Sequence, residues 1–353
     1  MTALDTSWQK SVMNLNSNIA DAIENLNSTG LRIVLIVNQK GLFEGTISDG
    51  DIRRGILRGL SLKTPIVEII HKGSITVDPQ TPTTSIDQLM SKYVLQQIPV
   101  VDKHGRLVGL HLWNVSQTSP SYNNSVIIMA GGMGRRLSPE TDVCPKPLLK
   151  VSNKPILEHI IEKAKDEGFK NFVIAIYHLG HMIESYFGDG SKWGVKITYI
   201  RESKPLGTAG ALGLLGSVPD SPVIVVNGDI ITNVKLGDLL SYHSNNNATA
   251  TMAVRQYEVL SPFGTVETDG INITGYQEKP ISQSIINAGV YVLNYDVLKL
   301  IKLNQKYDMP EVFDLVLEKN WRAVAFLVHE QWVDVGTPKS LQFIRNQSES
   351  SGI

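Results

Sequence analysis

Cysteine is nearly absent from this chain. Cys144 is the only one in 353 residues, so neither an internal disulfide nor a thiolate metal cluster can form. Excess charge is also absent. The net charge is −1 at pH 7, so the chain lacks the net positive charge that attracts nucleic acid or an anionic membrane. Long hydrophobic runs are missing too, and none approaches the roughly 20 residues that a membrane span needs. We therefore expect neither nucleic-acid nor membrane partners.

The amino terminus lacks the layout of a secretory signal, because Asp5 precedes any apolar stretch. We therefore expect a cytoplasmic protein. What the chain does have is length and an ordinary hydrophobic content, 42% of 353 residues, which is enough for about two domains. Residues 119–124 are polar and include Pro120, which predicts a linker between domains at 1–118 and 125–353.

The first predicted domain contains a repeat. The segment 35–45 aligns with 99–109, 64 residues later, and each copy has an apolar strand, a polar turn with glycine and a second strand. A helical pattern precedes each copy. The arrangement resembles a tandem pair of CBS domains, with copies at about residues 1–60 and 61–118. The resemblance implies a dimerising or regulatory module, so we expect a homo-oligomer.

The resemblance also implies a ligand for this module. CBS pairs often hold an adenine nucleotide through a Ser/Thr and an Asp at a helix start. Ser48 and Asp51 match that pattern in the first copy, whereas residues 112–115 of the second copy lack both polar groups. The alternative is that Ser48 is only the N-cap of a helix over Asp49 to Leu57, and we favour it.

A glycine-rich segment is the most informative part of the remaining chain. The apolar run 126–129 predicts a buried parallel strand that leads into the glycine-rich turn at 130–134. Glycines let backbone N–H groups approach a polyanion, and Arg135, Arg136 and Lys146 add positive charge. The Walker pattern and the dinucleotide-binding pattern both fail to match. The segment therefore predicts a different kind of nucleoside triphosphate site.

Several further motifs follow in a fixed order. The full series is GGMGRRL at 131–137, PKP at 145–147, LGTAGAL at 206–212, NGD at 227–229, EKP at 278–280, NAGVY at 287–291 and WVDVGT at 332–337. Together they resemble the sugar-1-phosphate nucleotidyltransferases over about residues 125–345. The resemblance implies an α/β fold with a doubly wound, mostly parallel sheet, Rossmann-like and similar to glycosyltransferase A enzymes. It also implies the reaction of an NTP with a sugar 1-phosphate to give an NDP-sugar and pyrophosphate.

The resemblance assigns roles to individual positions. Asp229 and Asp334 match the metal-binding aspartates of the family, which implies Mg²⁺ as the cofactor. The implied catalytic residues are Arg136 and Lys146 at the phosphates, Lys279 at the sugar phosphate, and Asp229. The implied nucleotide-binding residues are Ala130, Gly131, Gly132, Gly134, Glu202, Gly207 and Thr208, and the implied sugar-binding residues are Gly264, Glu278 and Asn287. For Asn287 a turn residue is an equal alternative.

Glu202 indicates which base is bound. In the family, the residue five positions before the glycine of Leu-Gly-Thr lies beside the base, and that glycine is Gly207 here. Guanine presents two adjacent donors, which suit a carboxylate that only accepts, whereas uracil and thymine suit an amide. Glu202 therefore favours GTP over UTP or dTTP. The alternative is a rim glutamate that points into water.

The expected activity is thus the transfer of a nucleotidyl group from GTP to a sugar 1-phosphate. A CBS pair joined to this enzyme type resembles the enzymes that make activated amino sugars for nonulosonic (legionaminic) acid pathways, which implies glucosamine 1-phosphate as the acceptor. A uridylyltransferase or a mannose-1-phosphate guanylyltransferase are alternatives with the same fold. A non-catalytic nucleotide sensor is the alternative from another class, and the presence of Lys146, Asp229 and Asp334 disfavours it.

Overall fold

The computed structural model describes residues 2–4, 7–113, 121–216 and 220–350, and the chain forms two compact units, residues 1–118 and 119–353. The first strand of the second unit begins at Tyr122, so the end of the predicted linker belongs to the sheet. Tyr122 is fixed there because its ring stacks on Phe169, with centroids 4.3 Å apart. Residues 119 and 120 of the predicted linker lie outside the described residues.

The first unit consists of short strands and three helices over its described residues. The strands are β1 Thr2–Leu4, β2 Val12–Asn14, β3 Ile33–Val37, β4 Phe43–Ser48, β5 Gln97–Val101 and β6 Leu107–Trp113. The helices are α1 Ile19–Thr29, α2 Asp49–Leu57 and α3 Thr83–Tyr93. The six strands form two three-stranded sheets, in the orders β2–β3–β4 and β1–β6–β5.

The sequence repeat is also a structural repeat. Helix α3 and strands β5 and β6 each begin 64 residues after α1, β3 and β4. The turns match as well: Asn38 Oδ1 accepts from Lys40 N–H at 2.9 Å, and Asp102 Oδ1 accepts from His104 N–H at 2.8 Å. The predicted division at about residue 60 does not separate the two sheets, however, because β1 pairs with β6 of the second copy.

The second unit contains the larger sheet. Its strands are β7 Tyr122–Met129, β8 Lys150–Val151, β9 Lys154–Pro155, β10 Phe169–Ile176, β11 Lys196–Arg201, β12 Val223–Asn227, β13 Ile230–Thr232, β14 Ala250–Leu260, β15 Thr265–Asp269, β16 Asn272–Gln277, β17 Ile281–Leu293, β18 Ala323–Leu327 and β19 Trp332–Asp334. Its helices are α4 Glu140–Val143, α5 Ile156–Asp166, α6 Gly180–Phe187, α7 Leu236–Asn245, α8 Tyr295–Leu298, α9 Met309–Glu318 and α10 Pro338–Ser350. Over the described ranges, no helix is both long and apolar enough to cross a membrane.

Seven strands form the central sheet, in the order β11–β10–β7–β12–β17–β14–β18. All neighbours are parallel except those of β17, which runs antiparallel to both β12 and β14. Alternate residues of β7 enter the two cores: Val126 and Ile128 pack with α5 and α7, and Ile127 packs with α9. Helices on both faces confirm the predicted doubly wound, mostly parallel α/β fold.

Candidate active site

A cavity of about 250 Å³ lies where β7, β11 and β12 end. The carboxyl ends of parallel strands meet at one edge of a sheet, which is where open α/β sheets bind ligands. The cavity walls include eight of the predicted residues, namely Ala130, Gly131, Gly132, Lys146, Glu202, Gly207, Thr208 and Asp229. The fold therefore brings together residues that are as many as 99 positions apart in the chain.

Close contacts or a positive φ require glycine at Gly131 and Gly134 in the turn after β7 and at Gly228 after β12. A Cβ on Gly131 would overlap the carboxylate of Glu202, and a Cβ on Gly228 would lie 2.8 Å from the carbonyl oxygen of Met129. Gly134 adopts φ +65°, in the left-handed region that favours glycine. Larger residues at these positions would push the turn away from the cavity wall.

Lys146 and Asp229 form an ion pair at the floor of the site, with Lys146 Nζ donating to Asp229 Oδ2. The lysine side chain is only 10% exposed and the aspartate side chain 29% exposed. A buried ammonium needs a carboxylate partner, since removing one member of such a pair leaves an uncompensated charge. Asp229 therefore holds Lys146 in place beside the cavity.

Asp334 lies next to Asp229 because β13 and β19 pair. In this two-stranded sheet Ile230 is opposite Asp334, and Val335 N–H donates to the carbonyl of Asp229 at 2.9 Å. Burial, and secondarily the negative charge of Asp229, raises the pKa of Asp334 above its usual value, while Lys146, Arg136 and a hydrogen bond from Gly336 N–H to the carboxylate oppose this shift. Asp334 Oδ1 is buried and has no hydrogen-bond partner among the described residues.

These features fit a divalent cation. Two neighbouring carboxylates repel each other, and a buried carboxylate oxygen without a donor is the kind of atom that a cation stabilises. Mg²⁺ commonly uses only one or two protein carboxylates and takes its other ligands from water and phosphate. A site with two carboxylates is compatible with the described part of the chain, in which no group of three or more His, Cys, Asp or Glu residues could hold a metal.

Arg136 contributes positive charge at the edge of the aspartate pair. A Cβ on Gly336 would lie 2.8 Å from Asp334 Oδ1 and 3.1 Å from Arg136 Nη2, so both groups lie against the backbone of Gly336. The Arg136 side chain is exposed and does not line the cavity itself. It is therefore placed to contact an anion that extends from the cavity past Asp334.

Glu202 lies in the cavity wall directly after β11. Its Oε2 accepts from Leu206 N–H at 2.9 Å, and its Oε1 lies against Gly131. Burial raises the pKa of Glu202, and the hydrogen bond from Leu206 opposes that shift by stabilising the charged form. One carboxylate oxygen is thus engaged by the loop, and the other faces the glycine-rich turn.

The loop with Gly207 and Thr208 is anchored to the start of α9. Asp308 Oδ1 accepts from Thr208 N–H at 3.0 Å, and the Thr208 hydroxyl accepts from Met309 N–H at 2.8 Å. Gly207 has φ +80°, and its Cβ would lie 2.5 Å from the carbonyl of Tyr307. Thr208 therefore lines the cavity while its own polar groups bind α9. Sequence reasoning missed Asp308, although Asp before Met-Pro is a helix-start signal.

Gly264, Glu278 and Lys279 lie at the base of the β15–β16 hairpin and do not line the cavity. A Cβ on Gly264 would lie 2.9 Å from Glu278 Oε2, which also accepts a hydrogen bond from the Tyr276 hydroxyl. Glu278 and Lys279 are exposed. The structure thus groups Gly264 with Glu278, and their assignment to the sugar stays a prediction.

Asn287 lies on β17, where the pairing with β14 is irregular. Its Nδ2 donates to the Tyr291 hydroxyl at 2.8 Å, and its Oδ1 accepts from Gly289 N–H at 2.9 Å. The register of β14 against β17 shifts between Met252 and Val254, and Val254 is opposite Asn287. Both polar groups of Asn287 therefore stabilise this bulge, which favours the turn interpretation over a direct sugar contact.

Asn227 is a residue of the cavity wall that sequence reasoning did not assign to the site. It ends β12, two positions before Asp229, and its Oδ1 is buried with no hydrogen-bond partner among the described residues. A Cβ on Gly289 would lie 2.8 Å from Asn227 Nδ2. Asn227 is the first residue of the NGD motif, but from the sequence it could equally be a residue that only caps the end of β12. The buried Oδ1 distinguishes it from such a cap.

In the first unit, Ser48 and Asp51 bind each other. Asp51 Oδ2 accepts from the Ser48 N–H at 2.8 Å and from the Ser48 hydroxyl at 2.6 Å, and Asp51 N–H donates to Ser48 Oγ at 3.3 Å. This reciprocal arrangement is a capping box at the start of α2. The contacts favour the N-cap interpretation. Of the aligned residues in the second copy, Asn114 and Val115 lie outside the described residues.

Comparison with known families agrees with the site. A family model described as nucleotidyl transferase matches residues 125–351, and a CBS domain model matches residues 66–110. The chain therefore belongs to the nucleotidyl transferase family and carries a CBS domain, which confirms the resemblance drawn from the motifs.

Individual relatives are similar over the second unit. The mannose-1-phosphate guanyltransferase of Yarrowia lipolytica is 37% identical over 221 residues, which cover 60% of this chain and 61% of that protein. A probable mannose-1-phosphate guanylyltransferase 1 of Oryza sativa subsp. japonica is 35% identical over 222 residues, with the same shares covered. The chain thus spans about three fifths of the length of these curated relatives.

A solved structure shows the same fold. The putative glucose-1-phosphate thymidylyltransferase from Bacillus anthracis, in complex with a sucrose, superposes with a TM-score of 0.53 at 27% identity. The match covers 64% of this chain and 94% of that one.

Proposed function

We propose that the second unit transfers a nucleotidyl group from a nucleoside triphosphate, with GTP preferred, to a sugar 1-phosphate. The observation that carries this proposal is the convergence of the glycine-rich turn, the Lys146–Asp229 ion pair and Asp334 at one cavity. Membership of the nucleotidyl transferase family supports the reaction class. The products are an NDP-sugar and pyrophosphate.

In this reaction an oxygen of the sugar 1-phosphate attacks the α-phosphorus of the triphosphate. The bond from that phosphorus to the oxygen that bridges to the β-phosphate breaks, and pyrophosphate leaves. Both reactants are anions, so the protein must align them and neutralise charge more than form bonds. Lys146, held by Asp229, supplies one positive charge beside the cavity, and Arg136 supplies another near Asp334. Mg²⁺ bound by Asp229 and Asp334 would neutralise phosphate charge.

The preference for GTP rests on Glu202. Its Oε2 is engaged by Leu206 N–H, which orients the carboxylate, and Oε1 faces the turn after β7. A carboxylate accepts from both donors at the guanine edge, whereas uracil would place an acceptor against it. The two guanylyltransferase relatives support the same base.

The acceptor sugar has two candidates. Mannose 1-phosphate is supported by the names of the relatives, which favour this alternative from the sequence analysis. Glucosamine 1-phosphate is supported only by the presence of a CBS domain before the transferase. We therefore propose mannose 1-phosphate as the first acceptor to test and glucosamine 1-phosphate as the second.

The test is pyrophosphate release from GTP, UTP, dTTP and ATP with mannose, glucosamine and glucose 1-phosphates. We expect turnover with GTP, and we expect Glu202→Gln to reduce the kcat/KM ratio of GTP to UTP by roughly tenfold or more, since a charge-assisted hydrogen bond is lost. Glu318→Gln, on the exposed face of α9, is the matched control.

Two results would contradict parts of the proposal. No release with any pair, while nucleotide still binds, would favour the non-catalytic sensor. A wild type that prefers UTP, or a Glu202→Gln variant with an unchanged base preference, would refute the role of Glu202.

A further inference from the structure

Lys163 on α5 lies away from the reacting groups and yet contacts the far end of β13, the strand that directly follows Asp229. Its Nζ donates to the carbonyl of Thr232 at 2.5 Å and to the carbonyl of Val234. Thr232 ends β13, and Val234 lies two residues beyond it. One ammonium group therefore satisfies two carbonyls in the turn after β13.

The same turn is tied to the chain that enters β19. Asn233 N–H donates to the carbonyl of Gln331 at 2.8 Å, and the Thr232 hydroxyl donates to the same carbonyl at 3.0 Å. At the other end of this short ladder Ile230 is opposite Asp334, and Val335 N–H donates to the Asp229 carbonyl. Two steps of roughly 3.3 Å each separate Thr232 from Ile230, so the turn and the backbone of both aspartates belong to one short ladder.

Few polar side chains line the surroundings of Lys163. A cavity of about 290 Å³ beside it is lined mainly by apolar residues, with His159 and Asn233 as the other polar side chains besides Thr232. The ring of His159 is already bonded to the carbonyl of Val151 at 2.8 Å. A shorter or apolar side chain at position 163 would leave two carbonyls facing this space, which costs free energy.

We propose that Lys163 is a positioning residue for the metal-binding aspartates, because its ammonium fixes the turn after β13 and thereby the spacing of Asp229 and Asp334. The inference rests on the proposed magnesium-dependent transfer. When a residue that orients metal ligands without touching the metal is removed, metal affinity or activity typically falls by roughly 10- to 100-fold.

The charge on Lys163 also gives the proposal a pH dependence. Burial lowers the pKa of Lys163 to about 8; Glu167 and Glu330 oppose this shift, and Lys235 adds to it. Because the lowered pKa belongs to a base, the ammonium is present below about pH 8 and is lost as the pH rises through that value. We therefore expect metal affinity to weaken over the same range.

The test compares Lys163→Met, Lys163→Arg and Lys165→Met in the full-length chain. Lys165 is an exposed residue on the same helix and serves as the control. Mn²⁺ binding is measured by electron paramagnetic resonance without substrates, and Mg²⁺ dependence by pyrophosphate release. We expect the Mn²⁺ Kd to rise by about tenfold or more in Lys163→Met and to stay near wild type in Lys163→Arg and the control. The alkaline weakening of Mn²⁺ binding should disappear in Lys163→Arg, since arginine stays charged.

The outcomes separate this inference from the proposed function. A folded Lys163→Met variant with wild-type Mn²⁺ affinity overturns the inference. If that variant does not fold, an identical alkaline limb in wild type and Lys163→Arg overturns it instead. A wild type that binds Mn²⁺ but transfers no nucleotide refutes the proposed function, while the Mn²⁺ measurements still decide the role of Lys163.

Discussion

At the scale of single residues, Asp229 and Asp334 have unequal surroundings despite their common predicted role. Asp229 is paired with Lys146, whereas Asp334 has a buried oxygen with no partner among the described residues. The charge on Asp229 is therefore compensated, and the charge on Asp334 is costly. This difference predicts that the two aspartates affect stability with opposite signs.

We expect Asp334→Asn to abolish activity and to raise stability in the absence of metal. Because the pKa of Asp334 is raised in the folded state, the unfolded chain loses this proton first, so stability falls as the pH rises from the ordinary pKa to the raised one, and asparagine removes this cost at pH 7. Thermal unfolding in EDTA should show a higher Tm than wild type, while kcat/KM falls on the order of 100-fold or more. A lower Tm in EDTA would show that the carboxylate is better satisfied than its contacts indicate.

Asp229→Asn should reduce activity just as strongly but lower the Tm. The amide keeps an oxygen near Lys146 but removes the negative charge that compensates a side chain only 10% exposed. Asp166→Asn, at the exposed end of α5, is the control for both variants. Full turnover by Asp229→Asn, or by wild type in EDTA, would refute the metal role.

At the scale of elements, the loop with Gly207 and Thr208 depends on helix α9, about 100 residues further along the chain. Asp308 accepts from Thr208 N–H, and the Thr208 hydroxyl accepts from the first N–H of α9. The loop and the helix start therefore satisfy each other's hydrogen-bonding groups, which constrains the conformation of the loop. Disrupting the helix start should thus affect nucleotide binding.

We expect Asp308→Ala to lower stability by about 1 kcal/mol, as the loss of a helix N-cap does, and to raise the KM for GTP more than it lowers kcat. The reason is that Thr208 and Gly207 lose their anchor while Lys146 and both aspartates keep theirs. Asp314→Ala, exposed on the same helix, should change neither quantity. An unchanged KM in a destabilised Asp308→Ala variant would make the anchor purely structural.

Some of the structural elements could be predicted from the sequence. The apolar run 126–129 was identifiable as a buried strand, and it lies in the central sheet with the glycine-rich turn at its carboxyl end. The repeat in the first unit was also visible, because each copy keeps its own apolar strand and polar turn with glycine. Local patterns of this kind depend on neighbours in the chain.

Long-range pairings have no such local pattern. The β13–β19 ladder joins two three-residue strands about 100 positions apart, and neither strand is long enough to show a period. The anchor between Thr208 and Asp308 and the contact of Lys163 with Thr232 depend on tertiary placement alone. The motifs and the positions near them therefore contained eight of the residues that the fold gathers at one cavity, and the structure was needed to show what holds them there.

At the scale of the whole molecule, the chain divides at residues 118 and 119, and the described residues that line the cavity lie between Met129 and Asp229. A fragment of residues 119–353 should therefore fold and transfer nucleotide without the first unit. A fragment that starts at residue 125, the predicted domain start, should be less stable. It lacks Tyr122, whose ring stacks on Phe169 and whose N–H donates to the carbonyl of Gly168 at 3.1 Å.

We expect the fragment 119–353 to retain a kcat/KM within a few-fold of the full-length chain, and the fragment 125–353 to lose about 1 kcal/mol or more from the missing aromatic stacking alone. Thermal unfolding and pyrophosphate release measured on both fragments and on Tyr122→Ala in 119–353 check this. Tyr122→Ala should reproduce the part of the loss that comes from the stacked ring, and the remainder reports the lost backbone contacts of residues 122–124. If 119–353 is insoluble or inactive while the full-length chain is active, the second unit does not fold independently. If 125–353 is as stable as 119–353, strand β7 does not need its first residues.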